Sequence, residues 1–344
     1  MTAARSIAAH EAAGSVFVVA EIAQAHDGSL GILHSFIDAC AEAGVDAVKV
    51  QIHIAEAESS PQEPFRKRFS YVDRTRFDYW SRMGFSETQW AEVKRHCEAA
   101  GVEFLATPFS VAAVELLERL GVTRYKIGSG DVANALLIDR IAGTGKEAIV
   151  STGLATRAEI AAAVDALRAS GVAVLQCATK YPTAPEDVGL AAIAAIREAF
   201  DCPAGLSDHS GTIYPGIAAV ALGASVVEAH VTFDRRMFGP DSRASLTVDE
   251  FAELVLGIRF VEKARRGDVG KDLDPELSAL RGMFGRSLAV NRDLPAGHVL
   301  TAADLESKKP AGEGLPASDY RSVVGRSLSR ARKRWDFLRP EDIG

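Results

Sequence analysis

Short apolar segments alternate with helix-like segments along most of this chain, and that alternation limits the fold more than any single residue does. Eight segments have the composition of buried strands: residues 16–22, 47–52, 103–108, 124–128, 148–151, 173–177, 204–207 and 225–231. Helix candidates lie between or after them, at residues 31–43, 87–100, 111–120, 157–170, 190–200, 215–222 and 248–265. Eight strand–helix units over roughly 250 residues are typical of a (β/α)8 TIM barrel, so we expect an α/β protein of that architecture.

The rival architecture is an open, doubly wound parallel sheet. Such a sheet usually carries a glycine-rich phosphate-binding turn after its first strand, and the segment Glu21-Ile22-Ala23-Gln24-Ala25 has no glycine. Glycine also follows five of the helix candidates, where a C-cap is expected, at positions 44, 101, 121, 171 and 223. The order of elements therefore favours the barrel.

The character of the chain changes after residue 265, and four parts are predicted. They are an N-terminal extension at residues 1–15, the barrel at 16–266, a polar, turn-rich linker at 267–282 and a small unit at 283–344. About 60 residues supply only a marginal core, so we expect the small unit to dock on the barrel or on a second subunit. The loop at residues 58–83, rich in arginine and aromatic residues, is expected to be a lid or a substrate contact, with a decorative insertion as the alternative.

The bulk composition excludes several classes of protein. The net charge of −7 argues against a general binder of nucleic acid or of a membrane surface. Residues 1–15 have no apolar core long enough for a signal peptide, and no window approaches a transmembrane span. The four cysteines, Cys40, Cys97, Cys177 and Cys202, show no C-x-x-C spacing. We therefore expect reduced thiols in a cytoplasmic protein.

Two histidines follow neighbouring predicted strands. His209 lies in Ser207-Asp208-His209, and His230 lies in Glu228-Ala229-His230, with one helix candidate between the strands. In a βαβ unit both imidazoles emerge at the carboxyl ends of adjacent parallel strands. Two neutral imidazoles there can bind a divalent metal and leave positions open for substrate and water. The alternative is a pair of core histidines that only hydrogen-bond their neighbours.

Two lysines, Lys49 and Lys126, interrupt apolar strands, where an ammonium group is costly unless it meets an anion. With the hydroxyls of Thr107, Ser129 and Ser207 they would suit a phosphate and a carboxylate at the rim where barrel active sites lie. The alternative for either lysine is a side chain that reaches solvent, or a buried ion pair with Glu21 or Glu228.

A family resemblance covers nearly the whole chain. It rests on ordered segments that include Ala20-Glu21-Ile22, His26-Asp27-Gly28-Ser29, Asp46-Ala47-Val48-Lys49-Val50-Gln51, Ala106-Thr107-Pro108-Phe109, Tyr125-Lys126-Ile127-Gly128-Ser129-Gly130-Asp131, Ser151-Thr152-Gly153, Tyr181-Pro182-Thr183, Ser207-Asp208-His209, His230-Val231-Thr232 and Gly239-Pro240-Asp241. The chain resembles the sialic acid synthase family, whose barrel carries a C-terminal antifreeze-like (SAF) domain. The resemblance implies condensation of phosphoenolpyruvate with an N-acylated amino sugar, usually N-acetylmannosamine or a relative, to a nine-carbon 2-keto acid and phosphate.

The resemblance also implies roles for individual residues. His209 and His230 would hold Mn²⁺ or Mg²⁺, and Glu21 and Asp131 would handle protons, with Lys126 at the reacting centre. The groups expected to contact phosphoenolpyruvate are Lys49, Thr107, Lys126, Ser129 and Ser207, and those expected to face the sugar are Gln51, Tyr181 and Asp241. In the family the SAF domain covers the partner subunit's barrel, so a domain-swapped homodimer is expected.

Four positions depart from the family pattern. Ala25 replaces an asparagine, Ala229 a basic residue, Ser242 a frequent histidine, and Lys309 the SAF-domain arginine that reaches the sugar's N-acyl group. Lysine cannot reproduce the planar fork of arginine, and the alternative for Lys309 is a solvated surface side chain. Because the sugar-facing positions vary, we expect the same reaction on a sugar other than N-acetylmannosamine.

Two other functions remain open from the sequence. A Schiff-base aldolase or lyase would use Lys126 or Lys49 as the amine nucleophile. Such an enzyme would need neither two histidines placed to hold a metal nor a second lysine among hydroxyls. The presence of these residues therefore counts against it. A non-catalytic sugar-binding protein would not need Glu21 together with both lysines and both histidines, although a fold alone never determines function.

Overall fold

A computed structural model describes residues 5–65, 68–267, 270 and 274–344 of the chain. The chain divides into two compact units, Met1–Gly267 and Asp268–Gly344. Parts of the predicted N-terminal extension (1–4), loop (66–67) and linker (268, 269 and 271–273) lie outside the described residues. No helix within the described ranges is long and apolar enough to cross a membrane.

The first unit contains eight parallel strands that form a nearly closed barrel. The strands are β1 (Phe17–Ala23), β2 (Ala47–Ile52), β3 (Glu103–Pro108), β4 (Arg124–Ile127), β5 (Glu147–Ser151), β6 (Val172–Cys177), β7 (Ala204–Asp208) and β8 (Val226–Thr232). They pair in the order β3-β2-β1-β8-β7-β6-β5-β4, and β3 and β4 are neighbours at the remaining seam. A short ninth strand, β9 (Leu246–Thr247), pairs with β8. The predicted TIM barrel is confirmed, and every predicted strand lies within one residue of an observed one.

One helix, α1 (Ile7–Ala12), precedes the barrel strands, and helices follow each strand. The following helices are α2 (Leu30–Glu42), α3 (Ala55–Glu58), α4 (Arg76–Met83), α5 (Glu87–Ala100), α6 (Val111–Leu120), α7 (Ala135–Ala142), α8 (Arg157–Leu167), α9 (Ala192–Phe200), α10 (Tyr214–Ala221) and α11 (Val248–Arg266). The ends of α5 and α6 show why glycine marks them. Gly101 and Gly121 adopt φ of +80° and +69°, the left-handed conformation in which a side chain is disfavoured.

Apolar side chains form two layers around the strands. Outward-facing residues such as Val18, Val48 and Val150 pack against the helices, while inward-facing residues such as Val19 and Leu105 fill the barrel. Because both faces of each strand are buried, the strands read as nearly continuous apolar runs, and this is why the sequence located them. The four cysteines are free thiols, and three of them are buried.

Residues 5–15, set apart in the sequence as an extension, close the amino-terminal end of the barrel. Helix α1 places Ile7 in the interior layer with Phe17 and Val19, and Ile7 is fully buried. The backbone N–H of Ile7 donates to Glu147 Oε1 (2.9 Å), and Arg124 donates to the carbonyl of Arg5 (2.7 Å). This segment therefore belongs structurally to the barrel.

The second unit begins with α12 (Pro275–Phe284), which lies largely within the predicted linker. Strands β10 (Ser287–Val290) and β11 (Leu305–Lys308) pair antiparallel, and α13 (Tyr320–Val323) follows them. The small core contains Leu288, Val290, Leu294, Leu300, Val323, Leu328 and Leu338. Two fully buried carboxylates stabilise the surrounding loops. Asp304 pairs with Arg292 and His298, and Asp342 pairs with arginines of the last loop.

Candidate active site

Two buried lysines and two buried carboxylates form a cluster at the carboxyl-terminal mouth of the barrel. Lys49 Nζ lies 2.7 Å from Glu21 Oε2. Glu228 Oε1 lies between the lysines, 3.7 Å from the Nζ atoms of both Lys49 and Lys126. All four side chains are at least nine-tenths buried. The ion pairs that the sequence allowed as an alternative for the lysines are therefore present, and the cluster balances two positive charges with two negative ones.

Hydroxyl groups surround this cluster. Lys49 Nζ donates to Thr107 Oγ1 (3.3 Å), and Ser207 Oγ donates to Glu228 Oε1 (3.1 Å). Lys126 Nζ donates to Ser151 Oγ (2.7 Å). Ser151 ends the strand predicted at residues 148–151, and the sequence assigned it no role. Ser129 is half-buried in the 3₁₀ turn after β4, and its side chain makes no hydrogen bond to the cluster within the described residues.

The two lysines differ in their electrostatics. Burial lowers the pKa of Lys126 below its ordinary value, and the nearby Lys49 ammonium adds to that effect against the opposing attraction of Glu228. Burial acts on Lys49 in the same direction, but Glu21 and Glu228 outweigh it, so the pKa of Lys49 is raised. Burial likewise opposes ionisation of Glu228, yet Lys126 and Lys49 hold its pKa below the ordinary range. Lys126 is thus the less well compensated cation.

His209 and His230 face one another beside the cluster, with ring centroids 5.3 Å apart. The Nδ1–H of His209 donates to the carbonyl of Ala178 (2.9 Å), which leaves the lone pair on Nε2, where it accepts from the hydroxyl of Tyr181 (3.0 Å). Burial lowers the pKa of His209 to about 3, and the neighbouring His230 adds to the effect. His209 is therefore a neutral imidazole at physiological pH.

This pair has the donor chemistry of a divalent-metal site with open positions. His209 is neutral, and its bond to the carbonyl of Ala178 orients the ring as a carbonyl partner commonly does for metal-binding histidines. No group of three or more His, Cys, Asp or Glu side chains placed to hold an ion occurs in the part of the chain that the structure describes. An ion at His209 and His230 would therefore need substrate and water to complete its coordination.

A cavity of about 760 Å³ opens beside the histidines. The residues predicted to face a sugar, Gln51, Tyr181 and Asp241, all line it together with His230. Its remaining wall comes mostly from two connections, β2–α5 and β8–β9. They contribute Phe65, Arg68, Phe69, Arg76, Tyr79 and Trp80 from the first, and Arg235, Arg236, Met237, Gly239, Pro240, Ser242 and Arg243 from the second. The arginine- and aromatic-rich loop thus forms one side of the cavity.

Two predicted site residues lie apart from these groups. Asp131 is half-buried in the turn after β4, where its Oδ1 accepts from Asn134 Nδ2 (3.1 Å). Burial raises the pKa of Asp131, and the charge of Glu58 adds to the effect. Lys309 belongs to the second unit, where its Nζ lies 5.0 Å from the centroid of the Phe284 ring, so its contact with a sugar stays a prediction.

One buried histidine, His53, lies just beyond β2 and was not singled out from the sequence. Its ring is buried and hydrogen-bonds both Gln51 and Glu58. A histidine outside any motif carries no signal of its own, because its ring partners come from distant positions in the chain. Only the folded structure assembles this group.

Comparison with known proteins agrees with the geometry. The NeuB family model matches residues 36–270, and the SAF domain model matches residues 285–343. The chain is 31% identical to the N,N'-diacetyllegionaminic acid synthase of Campylobacter jejuni over 330 residues, which is 94% of this chain and 98% of that protein. It is 34% identical to the human N-acetylneuraminate-9-phosphate synthase over 319 residues, 91% of this chain and 88% of the human one.

A solved structure shows the same similarity. The N-acetylneuraminic acid (sialic acid) synthetase of Leptospira borgpetersenii, crystallised with citrate, superposes with a TM-score of 0.67 at 29% identity. The superposition covers 77% of this chain and 90% of that one. The relatives that this chain matches over most of their length thus include synthases named for different sugar acids.

Proposed function

The chain belongs to the NeuB family, and on that premise we propose that it condenses phosphoenolpyruvate with an amino-sugar aldose. The product would be a nonulosonic acid, a nine-carbon 2-keto-3-deoxy acid, and phosphate would be released. The observation that carries the proposal is the position of two buried lysines beside two facing imidazoles at one mouth of the barrel. Relatives named as synthases of legionaminic acid and N-acetylneuraminate 9-phosphate support it.

Lys49 and Lys126 would bind the anionic enol phosphate. Glu228 is the carboxylate nearest to Lys126, and at 3.7 Å it is beyond hydrogen-bonding distance. A phosphate or carboxylate oxygen entering between the lysines would offer both a closer, charge-assisted bond. Thr107 and Ser207 would donate to the same anion, and Ser129 would close over it from the turn after β4.

The aldose would occupy the 760 Å³ cavity, with Gln51, Tyr181 and Asp241 as its polar contacts. His209 and His230 would hold the divalent cation, Mn²⁺ or Mg²⁺, through one ring nitrogen each. When bound, the cation supplies Lewis-acid polarisation of the aldehyde oxygen. The hydrogen bond from His209 to Ala178 keeps the ring in its orientation.

The residues would then support three events. C3 of phosphoenolpyruvate attacks the aldehyde carbon, and the alkoxide that forms takes up a proton. Water adds to the cationic C2 with Glu21 or Asp131 as the base. The tetrahedral intermediate expels phosphate while its C2 hydroxyl gives up its proton to the solvent, which leaves the 2-keto group, and Lys49 and Lys126 stabilise the charge on the departing oxygen. Glu21 is placed for this role because it contacts both Lys49 (2.7 Å) and Gln51 (2.8 Å).

The Schiff-base alternative is not favoured. A lowered pKa at Lys126 suits an amine nucleophile, but the same lysine lies near a second ammonium group, Lys49, and the hydroxyl of Ser151, which suit an anion. The curated relatives described above are named as synthases. Borohydride reduction in the presence of pyruvate would leave the protein mass unchanged under our proposal, whereas a trapped adduct on Lys126 or Lys49 would support the lyase.

We propose further that the acceptor is a sugar other than N-acetylmannosamine. Ala25 and Ser242, two of the positions that depart from the family pattern, line one small pocket with His230 and Asp241. The smaller side chains leave the neighbourhood of Asp241 without the amide and the imidazole that are expected there. This proposal would be contradicted if the protein turned over N-acetylmannosamine as well as, or better than, every other aldose of a panel.

For the second unit we propose that Lys309 reaches the sugar in the partner subunit's barrel within a domain-swapped homodimer. The support is the SAF domain match and the long, charged reach of lysine where the family has arginine. Dimeric mass by light scattering, together with loss of activity on truncation after Gly267, is the expected result. Full activity of the truncated chain would contradict it.

A phosphate-release assay tests the proposed function. The full chain is supplied with phosphoenolpyruvate and a panel of amino and neutral aldoses, with Mn²⁺ or Mg²⁺ and then with a chelator. We expect release that requires both substrates, equals the nine-carbon keto acid formed and stops on chelation. Lys146→Met, which removes a lysine paired with Glu118 outside the site, is the control. Phosphate release without an aldose, or no phosphate release with any aldose of the panel, would contradict the proposal.

A further inference from the structure

His53 sits inside a stack of three nearly parallel rings next to the cavity. Its ring centroid lies 3.7 Å from that of Trp80 and 4.4 Å from that of Phe109, with interplanar angles of 12° and 11°. The side chain is 3% exposed. Trp80 comes from α4 and Phe109 follows β3, so two separate connections hold the imidazole flat between them. The stack blocks rotation of the imidazole about its Cβ–Cγ bond.

The hydrogen bonds of His53 fix where its protons lie. Gln51 Nε2 donates to Glu21 Oε1 (2.8 Å), and because a carboxylate only accepts, the amide nitrogen of Gln51 must point there. Gln51 Oε1 therefore faces His53 Nε2 (3.2 Å), which must carry the hydrogen. At the other side of the ring, Nδ1 forms a hydrogen bond with Glu58 Oε1 (2.5 Å).

From this geometry we infer that His53 is a positioning residue for the acceptor sugar. Its Nε2–H, held in place by Glu58 and the ring stack, orients the amide of Gln51. Glu21 accepts one amide hydrogen of Gln51, so the other is left to face the cavity that Gln51 lines. That N–H would donate a hydrogen bond to a hydroxyl or carbonyl oxygen of the acceptor sugar. The inference rests on the proposed function for its substrate, and on the hydrogen-bond chain Glu58–His53–Gln51–Glu21 for its geometry.

This chain of contacts links the β2–α5 connection to acceptor recognition. Glu58 ends α3 and Trp80 lies on α4, so the same connection that lines the cavity also fixes His53. The Glu58 side chain is 7% exposed, which keeps water from competing for Nδ1. Lys49 is joined to the chain through Glu21, but no contact of His53 itself reaches either lysine. Its effect should therefore fall on the acceptor and not on phosphoenolpyruvate.

Three substitutions separate the parts of this assignment. His53→Phe keeps a ring in the stack and removes both hydrogen bonds. His53→Gln puts an amide N–H near the position of Nε2, and His53→Asn puts one near Nδ1. We expect KM for the acceptor to rise about five- to tenfold in His53→Phe and His53→Asn, and to stay within about twofold in His53→Gln, because one net hydrogen bond is worth about that factor. KM for phosphoenolpyruvate should be unchanged in all three.

The assay uses the full chain, phosphoenolpyruvate and the aldose of the panel that supports the fastest phosphate release. His53→Phe is also combined with Gln51→Ala. If His53 acts through Gln51, the double variant has the acceptor KM of Gln51→Ala alone. Additive effects of the two substitutions, or equal rises in KM for both substrates, would show a general structural role and overturn the inference.

A second measurement does not depend on turnover. Proton-detected NMR of protein labelled with ¹⁵N-histidine, with the His53 signals identified by their loss in His53→Gln, reports which ring nitrogen carries a hydrogen. We expect a bonded hydrogen on Nε2 at pH 7. A bare Nε2 overturns the inference whether or not any aldose reacts, whereas an inactive wild-type chain with a protonated Nε2 contradicts only the proposed function.

Discussion

Arg124 and Lys126 lie two residues apart on β4 and are equally buried, each 2% exposed, yet the barrel uses them differently. At the amino-terminal end, Arg124 donates to Glu103 (2.7 Å), Glu147 (2.5 Å) and the carbonyl of Arg5 (2.7 Å). At the mouth, Lys126 donates to Ser151 and the carbonyl of Ile127, and its nearest carboxylate is 3.7 Å away.

The difference separates a cation that holds the fold from one that remains able to bind a ligand. Every nitrogen of the Arg124 guanidinium has a partner within the protein, so the group is fully compensated where it lies. Lys126 has neutral partners and one distant anion, and its pKa is lowered as a result of burial. An incompletely compensated buried charge is costly, and an anionic substrate is what would relieve it.

The largest expected effect is at the mouth. His209→Ala should lower metal-dependent phosphate release about 1000-fold or more, because Lewis-acid activation of a carbonyl is worth several kcal/mol. Steady-state assays at saturating Mn²⁺ measure it. His10→Ala, a histidine at the other end of the barrel that packs against Phe17, is the matched control and should keep its activity. Intact release in His209→Ala would exclude the metal assignment.

Arg124→Met is expected to lower stability and to leave activity nearly unchanged, the opposite of what we expect for His209→Ala. Removing the guanidinium leaves Glu103 and Glu147 without their cation, so the free energy of unfolding should fall by about 3–5 kcal/mol. Urea denaturation followed by circular dichroism measures the loss, and phosphate release per folded molecule should stay within about twofold. A stable Arg124→Met chain that had lost its activity would contradict the distinction between a structural amino-terminal end of the barrel and a ligand-binding mouth.

Ile7→Ala tests the amino-terminal end through packing alone. Ile7 is fully buried in the interior layer, so its truncation should cost about 2–4 kcal/mol of stability and leave KM values unchanged. Ile32→Ala, at a position that is 37% exposed, should change stability by less than about 1 kcal/mol. Equal stability of the two variants would mean that helix α1 does not seal the barrel.

The smallest effect concerns the pH dependence at the mouth. Because burial raises the pKa of Asp131, its carboxylate gains a proton at a higher pH than an ordinary aspartate does. If the ionised form is the base, kcat/KM falls as the pH decreases through that raised pKa. Asp131→Asn should be about tenfold slower at neutral pH and lack this acid limb. A pH profile with the limb unchanged in Asp131→Asn would assign the base to another residue, such as Glu21.

The strands were predictable because each is buried on both faces and bounded by turn residues, as β2 and β3 show. Their carboxyl ends then located Lys49, Gln51, Thr107 and His209 on one rim. Their positions suggested a metal for His209 and an anion for Lys49, the family resemblance supplied the other roles, and all of these roles stay predictions.

Contacts between distant or irregular segments could not be predicted. Helix α1 is only six residues long, too short for a periodic signal, and its anchor is the long-range bond from Ile7 to Glu147. His53 carries no motif, and its role depends on ring partners 27 and 56 positions further along the chain, Trp80 and Phe109. Ser151 was visible at the rim, but only the structure shows that it holds Lys126.

Binding of phosphoenolpyruvate in the absence of an aldose tests the central claim most directly. Isothermal titration calorimetry compares the wild-type chain with Lys126→Met, and with Lys146→Met as the control. The account predicts one site per chain in the wild type and in Lys146→Met, and affinity about 100-fold weaker in Lys126→Met, because a charge-assisted contact to the anion is lost. Wild-type affinity in a folded Lys126→Met chain would contradict the assignment of the mouth lysines to the substrate.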